Sequence, residues 1–202
     1  MEKLKSNILH IYNLVPPPVY GLLSAILGIS GDIISIMLFQ GFSLNHMISA
    51  LGTGPGGIFF NIGTILAGFF AFLFYLHLFK VIGKETNDPK LHRVGRFFAI
   101  NSCIFFSLVG VFPTSLILII FVLHGTFALF SWLSAIIYLT IFSLLILKSK
   151  IFPRFFIYLA LTTAGTMVVF LLTWIPLIEW IMALAVSIWI TLISVYMLFR
   201  KF

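Results

Sequence analysis

Charge is scarce in this chain and acid scarcer still: 8% of the 202 residues are charged, and only five are Asp or Glu. A soluble domain of this length needs a wetter surface than that, so an ordinary globular fold in water is excluded and lipid must solvate much of the chain. Cysteine occurs once, as Cys103 inside an apolar run, which rules out an internal disulfide and leaves the redox compartment open. No polar stretch is long enough for a second, soluble domain. The glycine-rich run Gly52–Gly57 carries no lysine of the nucleotide-binding kind, so ATP is not indicated. Motifs for haem, flavin, quinone or pterin are missing, and no internal repeat argues for the inverted symmetry of many transporters. A cleavable leader is not expected either, because Pro16, Pro17 and Pro18 interrupt the chain before its first apolar run.

What is present is apolar: 61% of residues are hydrophobic, and the mean hydropathy is +1.20. Six long runs stand out, at about residues 19–40, 58–81, 92–112, 120–147, 155–175 and 178–199, each long enough to span a bilayer as a helix. The segments around them alternate between basic and cation-free. Lys3 and Lys5 precede the first run; Lys80, Lys84, Lys90, Arg93 and Arg96 surround the second gap; Lys148, Lys150 and Arg154 fill the fourth; Arg200 and Lys201 close the chain. Cytoplasmic segments retain positive charge, so both termini are expected inside, in a cell membrane crossed several times. The net charge of +7 then belongs against anionic lipid head groups rather than nucleic acid.

The expected fold class is all-α, an integral membrane bundle of six transmembrane helices over residues 19–202. Residues 1–18 precede it as a cytoplasmic segment. There Leu4, Ile8, Ile11, Tyr12 and Val15 recur at helical spacing, which predicts an amphipathic interfacial helix; a frayed terminus is the alternative.

Small and polar residues recur at three- and four-residue steps. The stripes are Gly21, Ala25, Gly28 and Asp32; Asn61, Thr64, Gly68 and Ala71; His124, Ala128, Ser131 and Ala135; and Glu179, Ala183, Ser187, Thr191 and Ser194. Small residues let backbones approach and hydroxyls bond across helices, so these stripes are expected to face other helices. Most of their ionisable and amide groups fall in the half away from the cations. Asp32, His46, Ser49, Asn61, His124 and Glu179 are therefore the candidate binding cluster, with membrane lipids or membrane-protein partners as ligands. A carboxylate within a span is expensive unless partnered or wet, which marks Asp32. Glu179 near a helix start is favoured by the backbone dipole.

Three chemistries remain open for this cluster. It is a polar network that fixes packing, or a lipid or partner site without a cofactor, or a zinc site in which His46, His124, Asp32 and Glu179 serve a metal-dependent lipid hydrolase. Transport of a small solute is a further reading, weakened by the apolar inner halves of spans two, four and five. Gly52, Gly54, Gly56 and Gly57 precede span two, whose leading N–H groups would suit a phosphate or carboxylate head group; the plainer reading is a tight turn.

Several short motifs add up to a resemblance. Ile48-Ser49-Ala50-Leu51-Gly52, Phe60-Asn61-Ile62-Gly63, Ala67-Gly68, Gly110-Val111-Phe112-Pro113, His124 with Ala128, and Glu179-Trp180 resemble the marks of a prokaryotic six-span membrane family. That family is known as domain of unknown function nine-nine-eight, and the resemblance covers about residues 19–199. It implies a six-span fold with no agreed activity. A more distant likeness to eukaryotic six-span proteins tied to autophagy and phospholipid asymmetry implies dealings with lipids. The resemblance marks Ser49, Gly52, Asn61, Pro113, His124 and Glu179; Asp32 is not among the marks.

Overall fold

The computed structural model describes residues 15–202, all helix and connecting loop; the proposed interfacial helix of residues 1–15 falls almost wholly outside them. Six helices follow one another: α1 Pro18–Leu38, α2 Gly57–Glu85, α3 Pro89–Val111, α4 Leu118–Lys148, α5 Phe155–Thr173 and α6 Pro176–Arg200. Each is long and apolar enough to cross a membrane. Between α1 and α2 lies a short 3₁₀ helix, Ile48–Thr53, that hydropathy alone does not announce.

Local chemistry sets the ends. Prolines open α1, α3 and α6, where a missing N–H costs nothing and the fixed φ suits a first turn. The turn expected at Asn87-Asp88-Pro89 is the cap of α3: the Asp88 carboxylate accepts from the Leu91 N–H at 3.0 Å. Span two outruns its expected end near residue 81 and continues to Glu85. Its final turn is polar, with Lys84 and Glu85, so hydropathy falls while the helical hydrogen bonds persist.

Successive helices are antiparallel, joined by short turns except between α1 and α2, where residues 39–56 hold the 3₁₀ helix. Each packs on its neighbours in sequence, and α6 closes onto α1, so the six form a ring. Close backbone approach holds the α1–α2 seam: a Cβ on Gly31 would sit 2.7 Å from the Phe59 carbonyl oxygen, and one on Gly63 would sit 2.9 Å from that of Leu27. The Ser24 hydroxyl donates to the Ala67 carbonyl across the same seam at 2.8 Å. Ser107 donates from α3 to Ile65 of α2 at 3.2 Å, and Ser131 from α4 to Ser102 of α3 at 3.0 Å. The outer surface is apolar on every helix, with Ile26, Phe69, Ile104, Leu133, Val168 and Ile188 exposed, as a lipid-facing wall requires.

The two ends of the ring differ. Every Lys and Arg among the described residues lies towards the end formed by the α2–α3 and α4–α5 connections and the C-terminus. Inside that end the ring is solid: Leu78, Phe79, Ile82, Phe142, Leu145 and Ile193 are wholly or almost wholly buried. Phe142 meets the Trp189 ring edge-on at 4.9 Å. At the opposite end the side chains are smaller and the interior is hollow.

Candidate functional site

The hollow is a cavity of about 660 Å³ to which all six helices contribute, within the range of roughly 300–1,000 Å³ typical of small-molecule sites. Small residues make the space: Gly28 on α1, Ala67 and Ala71 on α2, Ala128 and Ala135 on α4, Ala183 on α6. The stripes of small residues read from the sequence thus supply much of the wall. Aromatic residues make the floor. The Trp189 indole N–H donates to the Tyr75 hydroxyl at 3.1 Å, which is 2.7 Å from the Tyr138 hydroxyl. The three side chains span the lumen from α6 through α2 to α4 and are all buried. They also satisfy one another, as buried polar groups must.

Residues 45–50, ending in the first turns of the 3₁₀ helix, lie over part of the mouth. That helix packs on α1, α2 and α6. Glu179 ties it down from the first turn of α6. Its side chain, on a residue 3% exposed, accepts the Ile48 N–H at 2.7 Å. It thus takes up an N–H group that the start of a helix leaves without an internal partner. Next to it the Trp180 indole donates to the His46 carbonyl at 3.1 Å. On the other side of the mouth the lining residues Phe121, Gly125 and Trp174 are exposed, and there the cavity reaches the surface.

His124 is buried in the wall with both ring nitrogens engaged. Nδ1 lies 2.8 Å from the Phe112 carbonyl, which only accepts, so Nδ1 carries a proton. Nε2 lies 3.2 Å from the Thr114 hydroxyl, which also reaches the Ser49 carbonyl at 3.3 Å. His124 therefore pins the α3–α4 turn, while the single Thr114 hydroxyl proton goes either to Nε2 or to the Ser49 carbonyl of the 3₁₀ helix. Asp32 differs: it faces the cavity from α1 and has no hydrogen-bond or ion-pair partner among the described residues.

Of the candidate cluster, Asp32, His46, Ser49, His124 and Glu179 line this one cavity. Asn61 does not. Its amide nitrogen donates to the Gly52 carbonyl at 3.1 Å, which buttresses the 3₁₀ helix from behind, while its Oδ1 is buried without a partner among the described residues. His46 is exposed, its ring stacked on Phe42 at 5.3 Å and its Nδ1 near Ser43. No three His, Cys, Asp or Glu side chains among the described residues come together in a group able to hold a metal ion. Nor do Gly52, Gly54, Gly56 and Gly57 line the cavity. A Cβ on Gly52 would meet Asn61 Oδ1 at 2.9 Å, and one on Gly56 the Ser35 Cα at 2.6 Å, so their room is filled by neighbours. The Gly57 N–H already bonds Gly54 at 2.8 Å, and this geometry is that of a tight turn.

The Tyr75–Tyr138–Trp189 floor escapes the sequence reading, yet the signal for most of it was present. Tyr75 continues the α2 stripe four residues beyond Ala71, and Tyr138 continues that of α4 three beyond Ala135. Stripes traced by small residues stop where large ones take over the same face.

No curated protein and no solved structure matches the chain. One family does, described as a protein of unknown function, DUF998, and the match runs over residues 22–196, from the first turns of α1 to the last turns of α6. The ring, its hollow end and the tethered 3₁₀ helix all fall inside that span, and the chain is a multi-pass membrane protein belonging to the DUF998 family.

Proposed function

We propose that this protein binds a single lipid or lipid-like amphiphile in the hollow of its six-helix ring, in the outer half of the membrane. The observation that carries the reading is the cavity itself: about 660 Å³, walled mainly by apolar side chains, and polar near its mouth. An apolar interior with a few convergent polar groups is the usual make-up of a small-molecule site. A chain segment of a lipid suits the wall between Ala128 and Ala135, and a head group suits the region of Asp32 and Glu179. The assignment to the outer half rests on the cations gathering at the solid end, since positive charge is retained in the cytoplasm.

Mass spectrometry of the protein purified in mild detergent tests this. One lipid per chain is expected to survive purification. Ala128→Phe, which fills the wall of the cavity, is expected to reduce that occupancy several-fold while the protein remains folded. A protein that carries no lipid and takes up none from added lipid would end the proposal.

A further inference from the structure

We propose that the occupant of the cavity presents a protonated primary amine, a hydrogen-bond donor with positive charge, to Asp32. The inference rests on the cavity binding an amphiphile and specifies the polar end of that ligand.

The argument comes from what the wall leaves unspent. Ser24, Thr64, Ser131 and Ser187 each give their one hydroxyl proton to a main-chain carbonyl, at 2.8, 2.9, 3.0 and 2.9 Å. A hydroxyl used in this way still offers lone pairs to the lumen but no proton. Tyr75, Tyr138 and Trp189 satisfy one another. His124 is committed to Phe112 and Thr114, and Glu179 to the leading N–H of the 3₁₀ helix. What remains facing the space is acceptor-rich around Asp32; the donors left over are Asn45, Ser102 and the indole N–H groups of Trp132 and Trp174, all of them neutral. No Lys or Arg lines it.

Against that background Asp32 faces the cavity with no partner among the described residues. A carboxyl so placed within a span is costly until a counter-charge arrives. The complement to a carboxylate among spent donors is a cation rich in N–H groups. An anionic phosphate or carboxylate head would meet repulsion from Asp32 and find no cationic donor in the wall. A quaternary ammonium would supply charge but nothing to bond the hydroxyl lone pairs.

The test measures equilibrium binding of radiolabelled single-chain probes to the purified full-length protein in neutral detergent. The probes are octadecylamine, octadecanol, octadecanoic acid, trimethyloctadecylammonium and lysophosphatidylethanolamine. The wild-type protein is expected to bind octadecylamine at least about tenfold more tightly than octadecanol, the discrimination a desolvated charge pair supplies. Asp32→Asn is expected to bring the two within about threefold while leaving octadecanol unchanged. With octadecylamine still preferred to octadecanol, tighter binding of lysophosphatidylethanolamine than of octadecylamine would assign the amine to a phospholipid head group, and the reverse order to a free long-chain amine; both support the inference. Equal binding of amine and alcohol, tighter binding of the acid or the quaternary ammonium, or an amine preference that survives in Asp32→Asn would overturn it and leave the cavity reading standing. Where Asp32→Asn fails to fold, seen as loss of octadecanol binding, the wild-type ranking of the probes decides alone. Binding of none of the probes would remove the cavity reading and this inference with it.

Discussion

Glu179 is the residue whose loss the structure prices most directly. Its carboxylate is the acceptor for the Ile48 N–H at 2.7 Å, at the start of a helix that has no other cap from a side chain. Glu179→Ala leaves that main-chain N–H under a buried carboxyl-sized void. An unsatisfied buried donor costs about 1–3 kcal/mol, and the substitution is expected to cost that much. For a chain of this size each kcal/mol moves the melting temperature by about 2–4 °C, which puts the expected fall at about 2–12 °C. Glu179→Gln keeps one acceptor oxygen and is expected to fall about half as far. Cys103 supplies the assay. It is the sole thiol of the chain and 4% exposed, so a thiol-reactive fluorophore reports its unmasking on heating. Limited proteolysis of the segment between α1 and α2 at ambient temperature gives a second readout, and Glu179→Ala is expected to raise cutting there well below the melting temperature. Glu85→Ala, an exposed acid at the opposite end, is the control and is expected to shift by about 1–2 °C at most. A shift that small for Glu179→Ala, with unchanged cutting, would refute the tether.

Other expectations follow from the same geometry. Tyr75→Phe strands the Trp189 indole N–H in the floor and is expected to cost about 1–3 kcal/mol; Tyr138→Phe, which leaves that bond intact, is expected to cost less, both read by thiol unmasking. Gly31→Ala forces α1 from α2, because its Cβ would stand 2.7 Å from the Phe59 oxygen; a loss of about 1–3 kcal/mol is expected, with a wild-type melting temperature counting against the close seam. Asp88 caps α3 and pairs with Lys148 at 2.7 Å, and the hydrogen bond from Lys148 holds its carboxyl below the ordinary carboxylate value. That contribution is present above the ordinary value and lost as pH falls through the lowered folded-state value. Asp88→Asn is therefore expected to melt slightly below wild type near neutrality, with the two converging in acid.

The number of spans, their order and their faces were legible because hydropathy and spacing are one-dimensional signals. Runs of about twenty apolar residues fix helices, and Gly21, Ala128 or Ser194 at three- and four-residue steps fix the faces that turn away from lipid. The common cavity was half legible: siding by charge gathered Asp32, Ser49, His124 and Glu179 towards one end, and the fold brings these four to a single space. What each side chain does there was not legible. Glu179 reads like a ligand in sequence, yet its partner lies 131 positions away, and only ring closure selects it. Asn61 shares a stripe with Thr64 but sits just far enough round α2 to serve the 3₁₀ helix instead of the lumen. The 3₁₀ helix itself, six residues amid glycines, is too short for any periodic pattern to reveal. A ring rather than a filled bundle could not be told from six amphipathic stripes, since the same stripes would pack around a central helix.

The closure of α6 on α1 has a consequence for how the protein is made. Helices enter the bilayer in order, and until the last one arrives the barrel is a trough, with a slot between α1 and α5 open sideways to the surrounding lipid. During that interval the segment that will roof the chamber has no clasp, because the clasp, Glu179, belongs to the final stave. The hairpin of α5 and α6 is thus the one whose arrival both closes the ring and fastens the segment over part of the mouth.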